Sequence, residues 1–339
     1  MRPIQPQMRA RLLALLERAQ RKGRASDEAP SFRHELQRMV ETIVSGAGQA
    51  EIRSAIRKGV SAEQWSAMLR AVLDALHPYD AITVLSEAEV TRTLEGIAER
   101  IVIYTGTRAS NMRIQAASKE PWTYQWIRAA ISPGEVLYDI GANVGGYSLI
   151  ALSRGAKVVA FEPHHENFRE LCRNVGLNKL EAGAILIPAA LSERRGALRN
   201  PAFGGPAGQS MALEERESGP VSIIAGRLDE MREDFRLPAP NHIKIDVDGF
   251  ELKVLNGAQQ TFALRELRTC LIEIDLRAES PDGDRLTRVC KFFAGHGFTS
   301  FAVTNQMAEG VNYLIAMREP SAALKDVLEA NGIGLKAAG

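Results

Sequence analysis

The sequence is poor in cysteine, nearly neutral in charge and free of long apolar runs. Of its 339 residues only three are cysteines, Cys172, Cys270 and Cys290, and none are paired at the short spacing typical of zinc ligands. This pattern predicts reduced thiols, fits a cytoplasmic protein and argues against a cysteine zinc site. The formal net charge of +1 provides no overall field that would attract nucleic acid, so we expect no nucleic-acid partner.

No segment is predicted to cross a membrane or to act as a secretory signal. The apolar cluster 12–16 is too short to span a bilayer and is flanked by basic residues. It predicts a basic amphipathic helix that either packs on its own domain or contacts a protein partner or a membrane surface. Helical spacing of apolar residues recurs from Phe32 and from Trp65. Residues 1–118 are therefore predicted to form an all-helical module with a connector.

From Val136 onward, short apolar strands alternate with helical segments. Alternation of this kind predicts an α/β fold, a doubly wound and mostly parallel sheet with helices on both faces. The predicted strands are 136–140, 157–161, 184–188, 221–225, 242–247, 270–275, 298–303 and 311–317. The predicted helices are 146–153, 164–178, 249–263 and 283–296. Residues 196–220, rich in glycine, proline and polar residues, are predicted to form a long loop.

The segment 136–146, Val-Leu-Tyr-Asp-Ile-Gly-Ala-Asn-Val-Gly-Gly, has the pattern of a strand, a tight turn and a helix start. Glu162 ends the next strand, 21 positions after Gly141, where an acidic side chain can bind both ribose hydroxyls of an adenosine cofactor. Asn143 occupies the second glycine position of the dinucleotide fingerprint, which disfavours close approach of a pyrophosphate. S-adenosylmethionine has no phosphate, and Asp139 and Asn143 suit its amine and carboxylate. A turn that binds nothing is the alternative.

These residues resemble the FkbM family of S-adenosylmethionine-dependent methyltransferases. The resemblance spans roughly residues 119–317, and its most specific block is Lys-Ile-Asp-Val-Asp-Gly-Phe-Glu at 244–251. Six blocks carry it in order, at 133–148, 161–168, 174–178, 190–193, 228–229 and 243–258. Asp248 departs from the family pattern, which more usually has glutamate there.

The resemblance implies a class I methyltransferase fold, a Rossmann-like sheet of seven strands with the last one antiparallel. The expected domain is 119–318, followed by a helical tail at 319–339. The implied reaction is methyl transfer from S-adenosylmethionine to a hydroxyl of a sugar, polysaccharide or glycosylated natural product. With the pattern above, the predicted cofactor-binding residues are Asp139, Gly141, Asn143, Gly145, Glu162, Pro163 and Ala190.

Carboxylates after the strand 242–247 are the candidates for chemistry. Ligands of such sheets bind beyond the carboxyl ends of the strands, so Asp246 is the first candidate for removing the acceptor proton. Asp248 and Lys244 complete the predicted catalytic set, although Lys244 suits a buried ion pair equally well. Asp246, Asp248 and Glu251 would also suit Mg²⁺ or Ca²⁺. Asp248 and Glu251 have, in addition, the spacing of a helix capping box.

Two other classes of function stay open at this point. A non-catalytic adaptor, recruited through the N-terminal helices, fits the roughly hundred residues outside the resemblance. A nicotinamide-dependent oxidoreductase fits the strand-turn-helix pattern but is disfavoured by Asn143.

Overall fold

The structure is a computed structural model that describes residues 91–105, 113–200, 221–275, 285–304 and 311–337. The chain divides into two compact units, residues 1–89 and 90–339. The predicted N-terminal helices therefore lie outside the described residues. None of the described helices has the length and apolar character needed to cross a membrane.

The second unit alternates strands and helices, as the sequence predicts. The described strands are β1 (Thr91–Thr93), β2 (Val102–Tyr104), β3 (Val136–Ile140), β4 (Lys157–Phe161), β5 (Ala184–Ile187), β6 (Ala190–Leu191), β7 (Gly196–Asn200), β8 (Val221–Gly226), β9 (His242–Ile245), β10 (Thr269–Asp275), β11 (Ser300–Thr304), β12 (Val311–Met317) and β13 (Leu335–Ala337). The described helices are α1 (Ala116–Lys119), α2 (Pro121–Ala130), α3 (Gly146–Ser153), α4 (His165–Leu177), α5 (Leu228–Asp234), α6 (Glu251–Asn256), α7 (Gln259–Ala263), α8 (Arg285–Gly295) and α9 (Ala322–Ala330).

The main sheet has the strand order β13-β11-β12-β10-β9-β3-β4-β5. Strands β5, β4, β3, β9 and β10 are parallel, and β12 runs antiparallel to both β10 and β11. The mostly parallel sheet and its antiparallel strand confirm the predicted class I methyltransferase fold. The sheet has eight strands where seven were expected, because β13 pairs antiparallel with β11 at the edge. In the predicted helical tail, only α9 is helical before this three-residue strand.

Helices cover both faces of this sheet, which gives two apolar cores. Every residue of β3 is buried, and alternate side chains point to opposite faces. Leu137 packs in the core beneath α2, α3, α4 and α9. Val136, Tyr138 and Ile140 pack in the core beneath α5, α6, α7 and α8. Burial on both faces explains why the strand is an unbroken apolar run.

A second sheet, of order β6-β8-β7, lies apart from the main sheet. The strand predicted at 221–225 is present as part of β8, which lies in this second sheet. The prediction of a loop over 196–220 is wrong at 196–200, because β7 pairs antiparallel with β8. The rest of that predicted loop, 201–220, lies outside the described residues. In β8, Ile223 is buried while Ile224 is 68% exposed. This alternation is typical of a sheet that packs on one face only.

The predicted helix 249–263 is two helices, α6 and α7, separated at Gly257. A Cβ atom at Gly257 would lie 2.1 Å from the carbonyl oxygen of Ser192. The chain therefore turns at a point where only glycine allows the close approach of a neighbouring loop. The buried carboxylate of Asp229 in α5 then caps α7, accepting hydrogen bonds from the backbone amides of Gln260 and Thr261.

Candidate active site

A cavity lies at the carboxyl ends of β3, β4 and β9. Its lining includes the backbone segments that follow these three strands, 141–144, 162–164 and 246–248. Six more lining residues come from elsewhere in the unit: Arg113, Glu120, Gly146, Tyr147, Asn167 and Lys244. Most of the predicted cofactor loop and the predicted catalytic set are therefore brought together in one cavity.

The loop after β3 depends on glycine at two positions. Gly141 has a φ of +83°, and a Cβ atom there would lie 1.8 Å from the carbonyl oxygen of Asp246. Gly145 has a φ of +91° at the start of α3, and its Cβ would lie 2.5 Å from a methyl carbon of Leu171. Gly141 thus allows the β3 and β9 loops to touch, whereas Gly145 lets α3 begin against α4 and does not itself line the cavity.

Asn143 has a φ of +52°, in the left-handed region that asparagine tolerates better than most residues. Its Oδ1 accepts a hydrogen bond from the Val144 amide at 2.9 Å. The Asn143 amide donates to Glu162 Oε2 at 2.7 Å. Asn143 therefore shapes the turn and also ties the β3 loop to the end of β4.

The carboxylate of Glu162 is almost fully buried at the cavity wall. Besides Asn143, the His164 amide donates to its Oε1 at 2.8 Å and the Asn167 side-chain amide donates at 3.4 Å. Burial outweighs these hydrogen bonds and raises the pKa of Glu162 to about 7. A ligand that donates further hydrogen bonds would favour the ionised form, as the hydroxyls of a ribose do.

His164 and Pro163 follow Glu162 on the same wall. His164 caps α4, and its Nδ1 accepts a hydrogen bond from the Asn167 amide at 3.4 Å. Its Nε2 is buried and has no hydrogen-bond partner among the described residues. Burial, together with the neighbouring His165, lowers the pKa of His164, so the ring is neutral and Nε2 carries the proton. The buried Nε2–H group is therefore a hydrogen-bond donor that a ligand in the cavity could satisfy.

Asp139 lies behind the cavity wall and does not line it. Its Oδ2 accepts a hydrogen bond from the Ser148 hydroxyl at 2.6 Å, and its Oδ1 lies 3.5 Å from Lys244 Nζ. The structure therefore places this predicted cofactor ligand as a counter-ion and as an anchor for α3. Ala190, predicted beside it, lies buried in β6 and also does not line the cavity.

Lys244 and Asp246 form a buried ion pair at the end of β9. Lys244 is 1% exposed, and its Nζ donates to Asp246 Oδ2 at 3.0 Å. Burial alone would lower the pKa of the Lys244 amine, but the nearby carboxylates, Asp246 foremost, raise it above its usual range. The amine stays charged and fixes Asp246, whose side chain is 26% exposed, at the cavity.

Glu120 is a cavity residue that sequence reasoning missed. It precedes Pro121 at the start of α2, outside every motif block. Two aromatic contacts fix this helix on the sheet: Trp126 Nε1 donates to Thr269 at 3.0 Å, and the rings of Trp122 and Tyr313 lie 5.3 Å apart. The sequence around Glu120 shows an acidic residue followed by proline at the start of an aromatic helix. This pattern indicates a helix boundary and gives no sign of a cavity residue.

The predicted metal site is not supported. Glu251 accepts a hydrogen bond from the Gly249 amide at 2.7 Å and pairs with Arg285 at 3.3 Å, so its carboxylate serves the start of α6. Asp248 lines the cavity with a φ of +47°. Within the described ranges, no group of three or more histidine, cysteine or acidic residues is arranged to hold a metal ion.

The sheet order, the glycine turn and the acidic residue on the adjacent strand define a class I methyltransferase-type α/β domain. Residues 139–300 match the model of the methyltransferase FkbM domain. This segment, just under half of the chain, is thus similar to the S-adenosylmethionine-dependent methyltransferases of the FkbM family.

Two relatives and one solved structure illustrate the similarity. Hexuronic acid methyltransferase AglP of Haloferax volcanii is 30% identical over 157 residues, 46% of this chain and 63% of AglP. Methyltransferase sdnD of Sordaria araneosa is 28% identical over 205 residues, 50% of this chain and 78% of sdnD. The crystal structure of a precorrin-6y C5,15-methyltransferase from Geobacter metallireducens aligns with a TM-score of 0.36 and 14% identity over 69% of this chain and 96% of that one. The chain spans less than two thirds of the length of AglP.

Proposed function

We propose that the protein transfers the methyl group of S-adenosylmethionine to a hydroxyl of a sugar-containing acceptor. The observation that carries the proposal is a single cavity lined both by Gly141, Asn143 and Glu162 and by Asp246 and Lys244. The first group suits a nucleoside and an amino-acid chain, and the second suits the hydroxyl of an acceptor. The two reactants would therefore meet in one site.

The cofactor wall fits S-adenosylmethionine in its donors and acceptors. Glu162 offers a buried carboxylate to the ribose hydroxyls, and the proton on His164 Nε2 offers a donor to a ring nitrogen of adenine. When bound, S-adenosylmethionine supplies a methyl carbon already activated by its sulfonium. The protein then has to orient the acceptor oxygen and remove its proton.

Asp246 suits the orienting role. Its Oδ2 accepts a hydrogen bond from Lys244, which keeps the carboxylate from rotating. An acceptor hydroxyl bonded to this carboxylate has its oxygen lone pairs held towards the methyl carbon. Such preorganisation lowers the entropic cost of an in-line displacement.

The sugar acceptor is supported by the relative AglP, whose name describes a hexuronic acid methyltransferase. The acidic and aromatic lining, which includes Asp246, Asp248 and Tyr147, also suits a ligand rich in hydroxyl donors.

The test uses the full chain with S-adenosylmethionine labelled in its methyl group and a panel of hexoses, hexuronic acids and their glycosides. We expect label transfer by the wild type and a loss of about 10²-fold in the Asp246→Asn variant, with cofactor affinity retained. Asp234→Asn, at an exposed position of α5, is the matched control and should stay active. Failure of the folded wild type to bind S-adenosylmethionine in a calorimeter would contradict the proposal and favour a non-catalytic adaptor.

A further inference from the structure

We infer that Glu120 is the group that takes the proton from the acceptor hydroxyl, while Asp246 holds that hydroxyl in place. The inference rests on the proposed function, because it assigns a residue to the same reaction. It concerns a side chain outside the matched segment 139–300 and outside all the motifs of the sequence.

The hydrogen bonds of Glu120 leave one carboxylate oxygen for a ligand. The Tyr147 hydroxyl donates to Glu120 Oε2 at 2.8 Å, and the Thr123 hydroxyl donates to the same oxygen at 3.5 Å. Among the described residues, Oε1 accepts no hydrogen bond. Since Glu120 lines the cavity with Asp246, this second oxygen is available to the acceptor.

The buried lysine neutralises Asp246 and does not pair with Glu120. Lys244 Nζ lies 3.0 Å from Asp246 and 3.5 Å from Asp139, and within the described part of the chain no cation lies within ion-pair distance of Glu120. An ammonium bonded to a carboxylate occupies one of its oxygens and fixes its orientation. The two cavity carboxylates therefore differ in role, since Asp246 is fixed by a cation while Glu120 is not.

The surroundings of Glu120 strengthen this difference. Burial, followed by the charge of Asp246, raises the pKa of Glu120, and the lowering effects of Lys244, Tyr147 and Arg113 do not cancel them. The charge of Glu120 also raises the pKa values of Glu273 on β10 and Tyr313 on β12. A base whose pKa is closer to neutrality takes a proton more effectively in the transition state.

The step balances without any further reactant. The acceptor oxygen forms a bond to the methyl carbon while the bond from that carbon to sulfur breaks, and its electron pair returns to sulfur. The acceptor O–H bond breaks, and the proton passes to Glu120 Oε1. The products are a methyl ether, neutral S-adenosylhomocysteine and a protonated Glu120, which loses its proton to solvent after release.

A test that needs no acceptor compares two ligands, S-adenosylmethionine and S-adenosylhomocysteine. The sulfonium of the first carries a positive charge next to the reaction site, whereas the thioether of the second is neutral. The positive charge should favour ionisation of Glu120, so binding of S-adenosylmethionine should release more protons. Proton release by Glu162 cancels in this comparison, because both ligands have the same ribose.

The measurement is calorimetry of the full chain in two buffers of different ionisation enthalpy, over about pH 5–8. In the wild type we expect greater proton release with S-adenosylmethionine than with S-adenosylhomocysteine. The difference should disappear in Glu120→Gln and persist in Glu273→Gln. Glu273 is the matched control, because its pKa is also raised, a tyrosine hydroxyl also donates to it, and it does not line the cavity.

A second variant keeps Glu120 and changes its pKa. Tyr147→Phe removes a hydrogen bond that lowers the pKa of Glu120, so the pH of greatest difference should rise. A difference that survives Glu120→Gln, or its absence in a wild type that binds both ligands, would overturn the assignment of Glu120 alone. Failure of both ligands to bind the folded protein would overturn the proposed function as well.

Discussion

Replacing Gly141 by alanine tests whether the contact between the β3 and β9 loops holds the site together. A Cβ atom added at Gly141 would overlap the carbonyl oxygen of Asp246, at 1.8 Å. Neither loop moves freely, because the Asp246 amide donates to Ile140 and the Gly141 amide donates to Phe161. The substitution must therefore strain both loops or separate them.

The chain offers a close control for this substitution. Gly134 has a φ of +84°, almost the value at Gly141, but a Cβ atom at Gly134 would meet nothing within 4 Å. Alanine at either position has the cost of a left-handed backbone, about 1–2 kcal/mol. At Gly141 the steric overlap adds about 1–3 kcal/mol, as overpacking does in protein cores. Gly141→Ala should therefore lose about 2–5 kcal/mol of stability, against about 1–2 kcal/mol for Gly134→Ala.

The free energy of unfolding can be measured by urea denaturation, followed by the fluorescence of the buried Trp122 and Trp126. Calorimetry should also show weaker binding of S-adenosylmethionine in Gly141→Ala and unchanged binding in Gly134→Ala. Equal destabilisation by the two substitutions would show that backbone conformation alone requires glycine at Gly141. The loop contact would then have no part in holding Asp246.

Three further predictions concern single buried groups. Glu162→Gln should weaken S-adenosylmethionine binding by roughly 1–3 kcal/mol. The affinity of the wild type should fall as pH drops below about 7, because Glu162 then takes up a proton. An affinity that does not change with pH would show that Glu162 does not bind the ribose. Burial lowers the pKa of His242 from 6.5 to about 4, so the neutral ring costs no stability above pH 6.5. As pH drops towards 4, the free energy of unfolding of the wild type should fall by roughly 2–3 kcal/mol. Urea midpoints of His242→Gln should not show this loss. Asp229→Ala should cost about 2–4 kcal/mol of unfolding free energy, because it leaves the amides of Gln260 and Thr261 unpaired, and Asp229→Asn should cost less; equal costs would refute a capping role.

Local sequence signals predicted the parts of the fold that position the cofactor loop. Strand β3 and helix α3 have the predicted bounds, Val136–Ile140 and Gly146–Ser153. Their signals lie within the segment itself, as an apolar run long enough for a buried strand followed by glycines that allow positive φ. The glycines also fit their observed roles, since Gly141 and Gly145 each leave no room for a side chain.

Features that depend on distant partners were not predictable in the same way. The strand Val221–Gly226 was predicted near its observed bounds, but its place in a second sheet was not predicted, because the alternation of side chains does not identify a pairing partner. Glu120 reaches the cavity only because α2 docks through Trp126, which bonds to Thr269, 143 positions away. No pattern around Glu120 contains that information.

Lys244 links the proposed cofactor side of the cavity to the proposed acceptor side. In the pairing of β3 with β9, Asp139 and Lys244 are direct register partners. The Lys244 amine therefore forms an ion pair with Asp139 on β3 and another with Asp246 just after β9, while the Ser148 hydroxyl of α3 donates to the other oxygen of Asp139. A buried ammonium between two carboxylates resists displacement, because moving either partner would leave an uncompensated charge away from water. The helix that follows the predicted cofactor loop and the carboxylate proposed to hold the acceptor are thereby fixed before any ligand binds, which is the condition under which positioning would contribute most to methyl transfer.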